Sequence, residues 1–141
     1  MKNELEISTD KNRLNVRLVH QFLCEQSYWA KGIPLATVRK SIANSLCFGA
    51  YLDGAQIGFA RVISDFATFA NLVDVFILSE HRGKGYAKAM VREIMSHPDL
   101  QGLRRFTLVT SDAHVLYRQF GFSSLSKPET FMERFAPNIY G

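Results

Sequence analysis

The stretch SEHRGKGYAKAMVREIM, Ser79–Met95, decides how this chain folds, because a turn rich in glycine and lysine runs directly into a helix. Apolar residues recur at helical spacing after the turn, which predicts a helix with one buried face. The preceding run NLVDVFIL has the composition of a strand that is buried on both faces. Two glycines in a first helical turn weaken the helix, which indicates that they serve a purpose other than folding.

A strand, a glycine turn and a helix together form a physical site for an anion. The first amides of a helix have no internal partner, and the helix dipole attracts negative charge to them. Gly83 and Gly85 let the backbone approach an anion closely, while Arg82 and Lys84 add positive charge. The pattern therefore predicts a phosphate or pyrophosphate ligand. It does not fit a P-loop, because Lys84 is followed by glycine and not by Ser or Thr.

The rest of the chain predicts an α+β fold. Asp53-Gly54 between two apolar runs predicts a β-hairpin, and the strand, helix and strand across residues 72–110 must cross over right-handedly to become parallel. The sheet is therefore expected to be mixed and mostly antiparallel, with one central parallel β-α-β unit flanked by helices. The predicted strands are 5–8, 46–52, 56–64, 71–78, 104–110 and one or two within 121–135, and the predicted helices are 12–26, 34–44, one that Pro98 ends, and 112–120.

Composition fits one domain over residues 1–141, since 47% of the residues are hydrophobic and eleven are Phe. The sequence has no apolar run of bilayer length and no signal-peptide pattern at its N-terminus, so we expect a cytoplasmic protein. The net charge of +4 is too small to single out nucleic acid as a partner. Cys24 and Cys47 form no metal-binding spacing with the four His, and no metal is expected.

Two motifs carry a resemblance to a known family. RGKGYA, residues 82–87, matches the Arg/Gln-x-x-Gly-x-Gly/Ala signature of the GNAT superfamily of N-acetyltransferases, and LYRQFGF, residues 116–122, resembles that family's Tyr-x-x-x-Gly-Phe element. They lie about 30 residues apart with a strand between them, as in the family. The resemblance implies an acetyl-CoA-dependent enzyme that transfers an acetyl group to a primary amine.

The family assigns the cofactor site to the turn and to the strand before it. In GNAT proteins the turn amides hold the pyrophosphate of acetyl-CoA, and the pantetheine arm pairs with the strand backbone. The strand is expected to separate from the strand at 104–110, so that an amide near Phe76 or Ile77 faces the thioester oxygen. Thr110 stands where many members carry a cofactor-binding Asn. The implied cofactor contacts are Val75, Phe76, Ile77, Leu78, Arg82, Gly83, Lys84, Gly85, Tyr86, Ala87 and Thr110.

The resemblance also implies two proton-transfer roles. Tyr117 occupies the position of the family's acid, which protonates the leaving thiolate; as an alternative it is a core aromatic. The base that deprotonates the amine is open between Asp74, Asp65 and His114. A carboxylate inside an apolar strand is costly unless it is paired, so Asp74 is either a base or substrate contact or the ion-pair partner of Arg61. Asp112 is expected to cap the following helix.

The acceptor pocket is expected around the loop SYWAKGIP, with Tyr28, Trp29 and Asp65 as substrate contacts. Tyr28 and Trp29 either form the pocket wall or fill the core. The acceptor itself is open among small-molecule and peptide amines, and a homodimer is possible. Two other functions compete with the transferase: a catalytically silent CoA-binding sensor of the same fold, and a nucleic-acid-binding module, which the absence of a basic and aromatic stripe disfavours.

Overall fold

A single mixed sheet forms the centre of the computed structural model, which describes residues 4–141. Neighbouring strands are antiparallel except for the fourth and fifth, which are parallel. The predicted α+β class is therefore confirmed. The strands, in their order across the sheet, are β1 (Leu5–Ser8), β2 (Leu46–Leu52), β3 (Ala55–Ser64), β4 (Phe69–Ile77) and β5 (Arg105–Leu108).

Helices cover both faces of the sheet. Met90, Val91 and Ile94 bury the apolar face of the helix after the glycine turn against one side, and a second cluster that includes Val19 and Val38 lies on the other side. None of the helices in the described part of the chain has the length and apolarity of a bilayer-spanning segment. The helices are α1 (Val16–Gln21), which continues as a π-helical turn over Phe22–Gln26, α2 (Leu35–Ala43), α3 (Tyr86–Ser96) and α4 (His114–Arg118).

The hairpin predicted at Asp53-Gly54 is confirmed. Both residues have positive φ, 50° and 82°, as a type I′ turn requires. This turn sets the register of β2 on β3.

Three local predictions are wrong. Residues 121–135 add no strand: they contain a 3₁₀ turn at Pro128–Thr130 and otherwise irregular backbone, so the parallel pair lies at the edge of the sheet and not at its centre. Asp112 does not cap α4, whose N-cap is Ala113. Pro34 precedes α2 as its N-cap and is not its first residue; at this position its extended backbone (ψ 150°) leads into the helix.

A bulge interrupts β4 at Asp74. Arg61 of β3 is opposite Val73 and Phe59 is opposite Phe76, so two residues of β4 share the space opposite one residue of β3. Asp74 has φ +57°, a left-handed conformation that Asp and Asn adopt more readily than other side chains. Bulges of this kind bend a strand, and β4 continues to pair with β3 beyond this one.

The Asp74 carboxylate is buried, with 8% of the residue exposed, and both of its oxygens have partners. Arg61 Nε donates to Oδ2 at 2.9 Å, and Trp29 Nε1 donates to Oδ1 at 2.8 Å. The guanidinium is itself mostly buried and reaches Ser45 Oγ at 2.9 Å. The ion pair that the sequence offered as one role for Asp74 is therefore present, and it links β3, β4 and the loop between α1 and α2.

We predict that Asp74→Asn lowers the free energy of unfolding by about 3 kcal/mol, because it leaves the buried Arg61 charge without a counter-charge. Urea or thermal denaturation measures the effect. Asp53→Asn is the matched control: it also replaces an aspartate with positive φ, but in an exposed turn. Equal stability of the two variants would show that the ion pair does not support the bulge.

Candidate active site

A slot opens between β4 and β5 where their pairing stops. The two strands pair only from Phe69 to Leu72, opposite Arg105–Leu108, and β4 continues alone on that side to Ile77. The separation of these strands, expected from the sequence, is thus present. A cavity of about 590 Å³ occupies the slot. The predicted site residues that line it are Tyr28, Trp29, Asp74, Val75, Phe76, Ile77, Arg82, Ala87, Thr110 and Tyr117.

Backbone groups of β4 face this slot at alternate residues. The Leu78 amide donates to Ile57 O in the direction of β3, at 2.8 Å. Because backbone groups alternate along a strand, the amides of Val75 and Ile77 point the other way, into the slot. Arg82 Nε donates to Ile77 O at 3.0 Å on that same side. Of the four strand residues expected to contact a cofactor through their main chain, Val75 and Ile77 therefore present their polar groups to the slot.

The glycine turn lies at one end of the slot. Gly83 and Gly85 have φ of +77° and +81°, and no atom lies within 4 Å of the position that a Cβ would take at either glycine. Gly85 is the N-cap of α3, and no side chain caps this helix. Its first amides are therefore open to an anion, and Arg82 and Ala87, on the two sides of the turn, line the cavity.

Tyr117 lies at the other side of the slot, on α4. The residue is only 7% exposed, and its ring packs edge-on against Phe122. Burial, followed by the negative charge of Asp112 and the neighbouring Tyr28, raises the pKa of Tyr117 to about 12. Its hydroxyl therefore keeps its proton at neutral pH, and the residue lines the cavity.

Thr110 stabilises the turn that leads into α4, and no side chain caps the helix itself. Its Oγ1 accepts a hydrogen bond from the Ala113 amide at 3.1 Å, at the start of α4. A hydroxyl that accepts in this way still has its own proton to donate, so Thr110 can also contact a ligand in the slot. Asp112 remains exposed beside the cavity and forms no salt bridge within residues 4–141.

Two aromatic residues form the wall opposite α4. Tyr28 and Trp29 pack edge to face at 4.9 Å between ring centroids. Trp29 is held by its bond to Asp74, and the Tyr28 hydroxyl accepts a hydrogen bond from Ser111 Oγ at 2.8 Å. The latter bond joins the loop before α2 to the loop before α4 and spans the mouth of the slot.

Two of the residues proposed as base or substrate contact do not reach the cavity. Asp65 lies in the exposed β3–β4 turn, where its carboxylate accepts hydrogen bonds from Thr68 Oγ1 and from the amides of residues 67, 68 and 69. The Thr68 hydroxyl and these amides lower the pKa of Asp65, which makes it a poor base. His114 borders a different groove, on the outer side of β5.

Sequence reasoning missed Gln26 and Ser111 and misjudged Asp112. Gln26 and Asp112 line the cavity, and Ser111 holds Tyr28. The motif SDAH predicted a helix capped by Asp112, whereas α4 begins at His114 with Ala113 as its N-cap.

Comparison with known proteins agrees with this geometry. The model of the acetyltransferase (GNAT) domain matches residues 43–124. A curated protein of Gibberella zeae, named as a candidate acetyltransferase, is 32% identical, and the match covers 79% of this chain and 74% of that protein. The crystal structure of a GNAT-family protein from Xanthomonas campestris pv. campestris is 54% identical, with 99% of each chain covered and a TM-score of 0.95.

More distant structures share the fold alone. An aminoglycoside N-acetyltransferase in complex with CoA is 18% identical, with a TM-score of 0.62 over 96% of this chain and 98% of that one. The resemblance seen in residues 82–87 and 116–122 is thus confirmed over most of the chain. The chain belongs to the GNAT acetyltransferase family.

Proposed function

We propose that this protein transfers an acetyl group from acetyl-CoA to a primary amine by direct attack of the amine. The observation that carries the proposal is that one cavity connects the glycine turn to Tyr117, since Arg82, Ala87 and Tyr117 all line it. A site for the phosphate part of the donor and an acid for its leaving group therefore share one slot.

The residues present fit acetyl-CoA. The uncapped N-terminus of α3 and the open glycines at 83 and 85 suit a pyrophosphate, and Lys84 adds charge at an exposed position. The unpaired side of β4 offers backbone donors and acceptors to an extended amide arm. An aminoglycoside N-acetyltransferase of the same fold holds CoA. Bound acetyl-CoA would supply a thioester whose carbonyl carbon an amine can attack.

The Ile77 amide is the group that we assign to the thioester oxygen. Negative charge develops on that oxygen during attack, and a fixed amide that points into a cavity stabilises it without rearrangement. Sequence reasoning left Phe76 and Ile77 as equal candidates. The Phe76 amide points toward β3, whereas Ile77 faces the slot and has its carbonyl held by Arg82.

Tyr117 is the group that we assign to the leaving thiolate. A tyrosine with a pKa of about 12 gives up its proton in water with difficulty. A thiolate that forms in the same buried cavity is also poorly solvated, however, and its pKa rises for the same reason. Because burial raises the proton affinity of both groups, the raised pKa of Tyr117 does not by itself disfavour the transfer.

Asp112 is a better candidate than Asp74 for receiving the amine. Both oxygens of Asp74 are used by Arg61 and Trp29, so we assign Asp74 to structural support of the slot. Asp112 lies exposed at the cavity and can attract a cationic amine or take its proton through water. Tyr28 and Trp29 present aromatic faces beside it, which also favour a cation.

The acceptor thus belongs to the class of primary amines that are cationic at neutral pH. The cytoplasmic location and the single-domain organisation expected from the sequence stay predictions.

We predict that Gly85→Leu weakens CoA binding at least tenfold, about 1.4 kcal/mol, because the new side chain would cover the amides of the turn. Isothermal titration calorimetry measures the dissociation constant. Gly102→Leu is the matched control, since Gly102 has φ +73° and equally open surroundings in the loop before β5. The same affinity in both variants would place the phosphates elsewhere.

We predict that Tyr117→Phe lowers kcat about 100-fold while the dissociation constant of CoA stays unchanged, because only the proton donor is removed. Thiol release from acetyl-CoA, first screened over amine classes, measures kcat. Tyr51→Phe is the control, since it removes a buried tyrosine hydroxyl outside the slot.

An equal loss of turnover and of CoA affinity in Tyr117→Phe would mean that Tyr117 packs and does not donate. The pH profile gives a second check. Because the pKa of Tyr117 lies near 12, its proton is retained up to about pH 10, and no loss of activity with rising pH is expected below that value. A catalytically silent CoA-binding protein would bind CoA, but none of the amines in the panel would cause thiol release.

A further inference from the structure

One polar side chain of the slot has no part in the mechanism described above. Asn71, near the start of β4, lines the cavity. Its neighbours Ala70 and Leu72 belong to the core on the α3 side of the sheet, so alternation along the strand directs Asn71 to the opposite face. Because β4 runs on toward the glycine turn, Asn71 lies at the end of the slot that is farther from the phosphate site.

Thr107 fixes the orientation of the Asn71 carboxamide. The two residues are opposite each other in the parallel pair of strands, and Thr107 Oγ1 donates to Asn71 Oδ1 at 2.8 Å. A carboxamide has one oxygen acceptor and two N–H donors. With the oxygen engaged by Thr107, the Nδ2 group is the free end, and it forms no hydrogen bond to another of residues 4–141. Asn71 therefore offers donors to a ligand.

We propose that Asn71 determines acceptor specificity by donating a hydrogen bond to a carbonyl oxygen of a peptide-like amine, and that Thr107 is the residue that positions it. The inference rests on the proposed function, because it assigns the acceptor end of the same slot. It separates peptide amines from alkyl polyamines: a second ammonium group has only N–H donors and cannot pair with the Nδ2 group.

The length of the slot favours an extended acceptor. From Asn71 to the Ile77 amide, β4 spans roughly 20 Å at about 3.3 Å per residue, and less where the bulge shortens it. The Asn71 side chain and the thioester occupy part of this span. On the order of 10 Å then separates the attacked carbon from the bound carbonyl, which is the reach of about three residues of extended peptide.

The surroundings of Asn71 suit a chain that continues past it. Ile63, opposite Asn71 on β3, is 44% exposed, and Val109, beyond Thr107 on β5, is 96% exposed. This end of the slot is therefore open to solvent, and an acceptor can extend out of it.

The charges of the slot argue against a second cation at Asn71. Among the residues that line the cavity, the carboxylates are those of Asp74 and Asp112. Asp74 is paired with Arg61, and we assign Asp112 to the reacting amine. A distal ammonium group would thus lose water at Asn71 without gaining a counter-charge, which costs free energy.

The test compares triglycine amide with spermidine, two amines of equal chain length that differ in having carbonyl or ammonium groups away from the reacting end. Each is titrated into the full-length protein, with and without CoA, and the Asn71 side-chain amide is followed by NMR. We expect triglycine amide to bind at least tenfold more tightly and to shift the Asn71 signals, which are identified by their absence in Asn71→Leu.

Three variants separate the roles of the two residues. Asn71→Leu should bind both probes with equal affinity, and Asn71→Asp should prefer spermidine, because a carboxylate accepts from an ammonium group. Thr107→Val should lose the preference because the carboxamide is no longer oriented, whereas Thr107→Ser, which keeps the hydroxyl, should retain it. Asn138→Leu is the matched control, since Asn138 is exposed and lines neither cavity, and its preference should equal that of the wild type.

Equal affinity of the wild type for the two probes, or binding of neither, would overturn the proposal. A preference for triglycine amide that persists in Asn71→Leu would overturn it as well and would place the oxygen on another donor of the slot, such as Gln26. These are binding measurements, so they stand apart from the proposed activity. Absence of CoA binding or of thiol release would contradict that activity, whatever the ranking of the probes.

Discussion

The buried contact of Asp74 with Arg61 and Trp29 is the constraint on which the rest of the site depends. A carboxylate in the middle of an apolar strand would normally be expelled to solvent or protonated. Here both oxygens receive a hydrogen bond from a fixed donor. These two bonds compensate the cost of burying the carboxylate, on a residue whose backbone is left-handed. The same contact joins two strands to the loop that carries the aromatic wall, so the bulge and the wall are held by one group.

The opening of the slot follows from the bulge. A strand that bends at Asp74 cannot continue parallel to β5, and pairing stops at Leu72. Beyond that point β4 pairs with β3 only, so the backbone groups of Val75 and Ile77 face the slot. The strand then leads into the glycine turn, whose uncapped helix terminus lies at the end of the same opening. Binding and chemistry are therefore positioned by the shape of a single strand.

Local chemistry made much of this predictable. Asp53-Gly54 specifies its turn because few other residue pairs adopt two positive φ angles. Gly83 and Gly85 allow the positive φ of a turn that leaves the first amides of α3 open. Asp74 was identified as a residue that needs a partner, and the choice of Arg61 followed from charge. The donation from Trp29 was not foreseen, because it depends on how the α1–α2 loop lies over the sheet.

The missed features depend on distant parts of the chain. Asp112 is a good capping residue by type, but α4 begins one residue later than that role requires, with Ala113 as its N-cap. Asp65 looked like a free carboxylate because the turn that it stabilises is formed by its own neighbours. Residues 121–135 were expected to add one or two strands, but a local pattern does not say whether a strand edge is available to pair with them.

The crystal structure of the protein with CoA bound tests the central claim, that the bulge in β4 opens a slot for the acetyl donor, most directly. We predict pyrophosphate on the amides of residues 83–87, the pantetheine arm beside Val75 and Ile77, and the sulfur within reach of the Tyr117 hydroxyl. Pyrophosphate bound away from the turn, or an arm that bypasses the slot between β4 and β5, would contradict the claim.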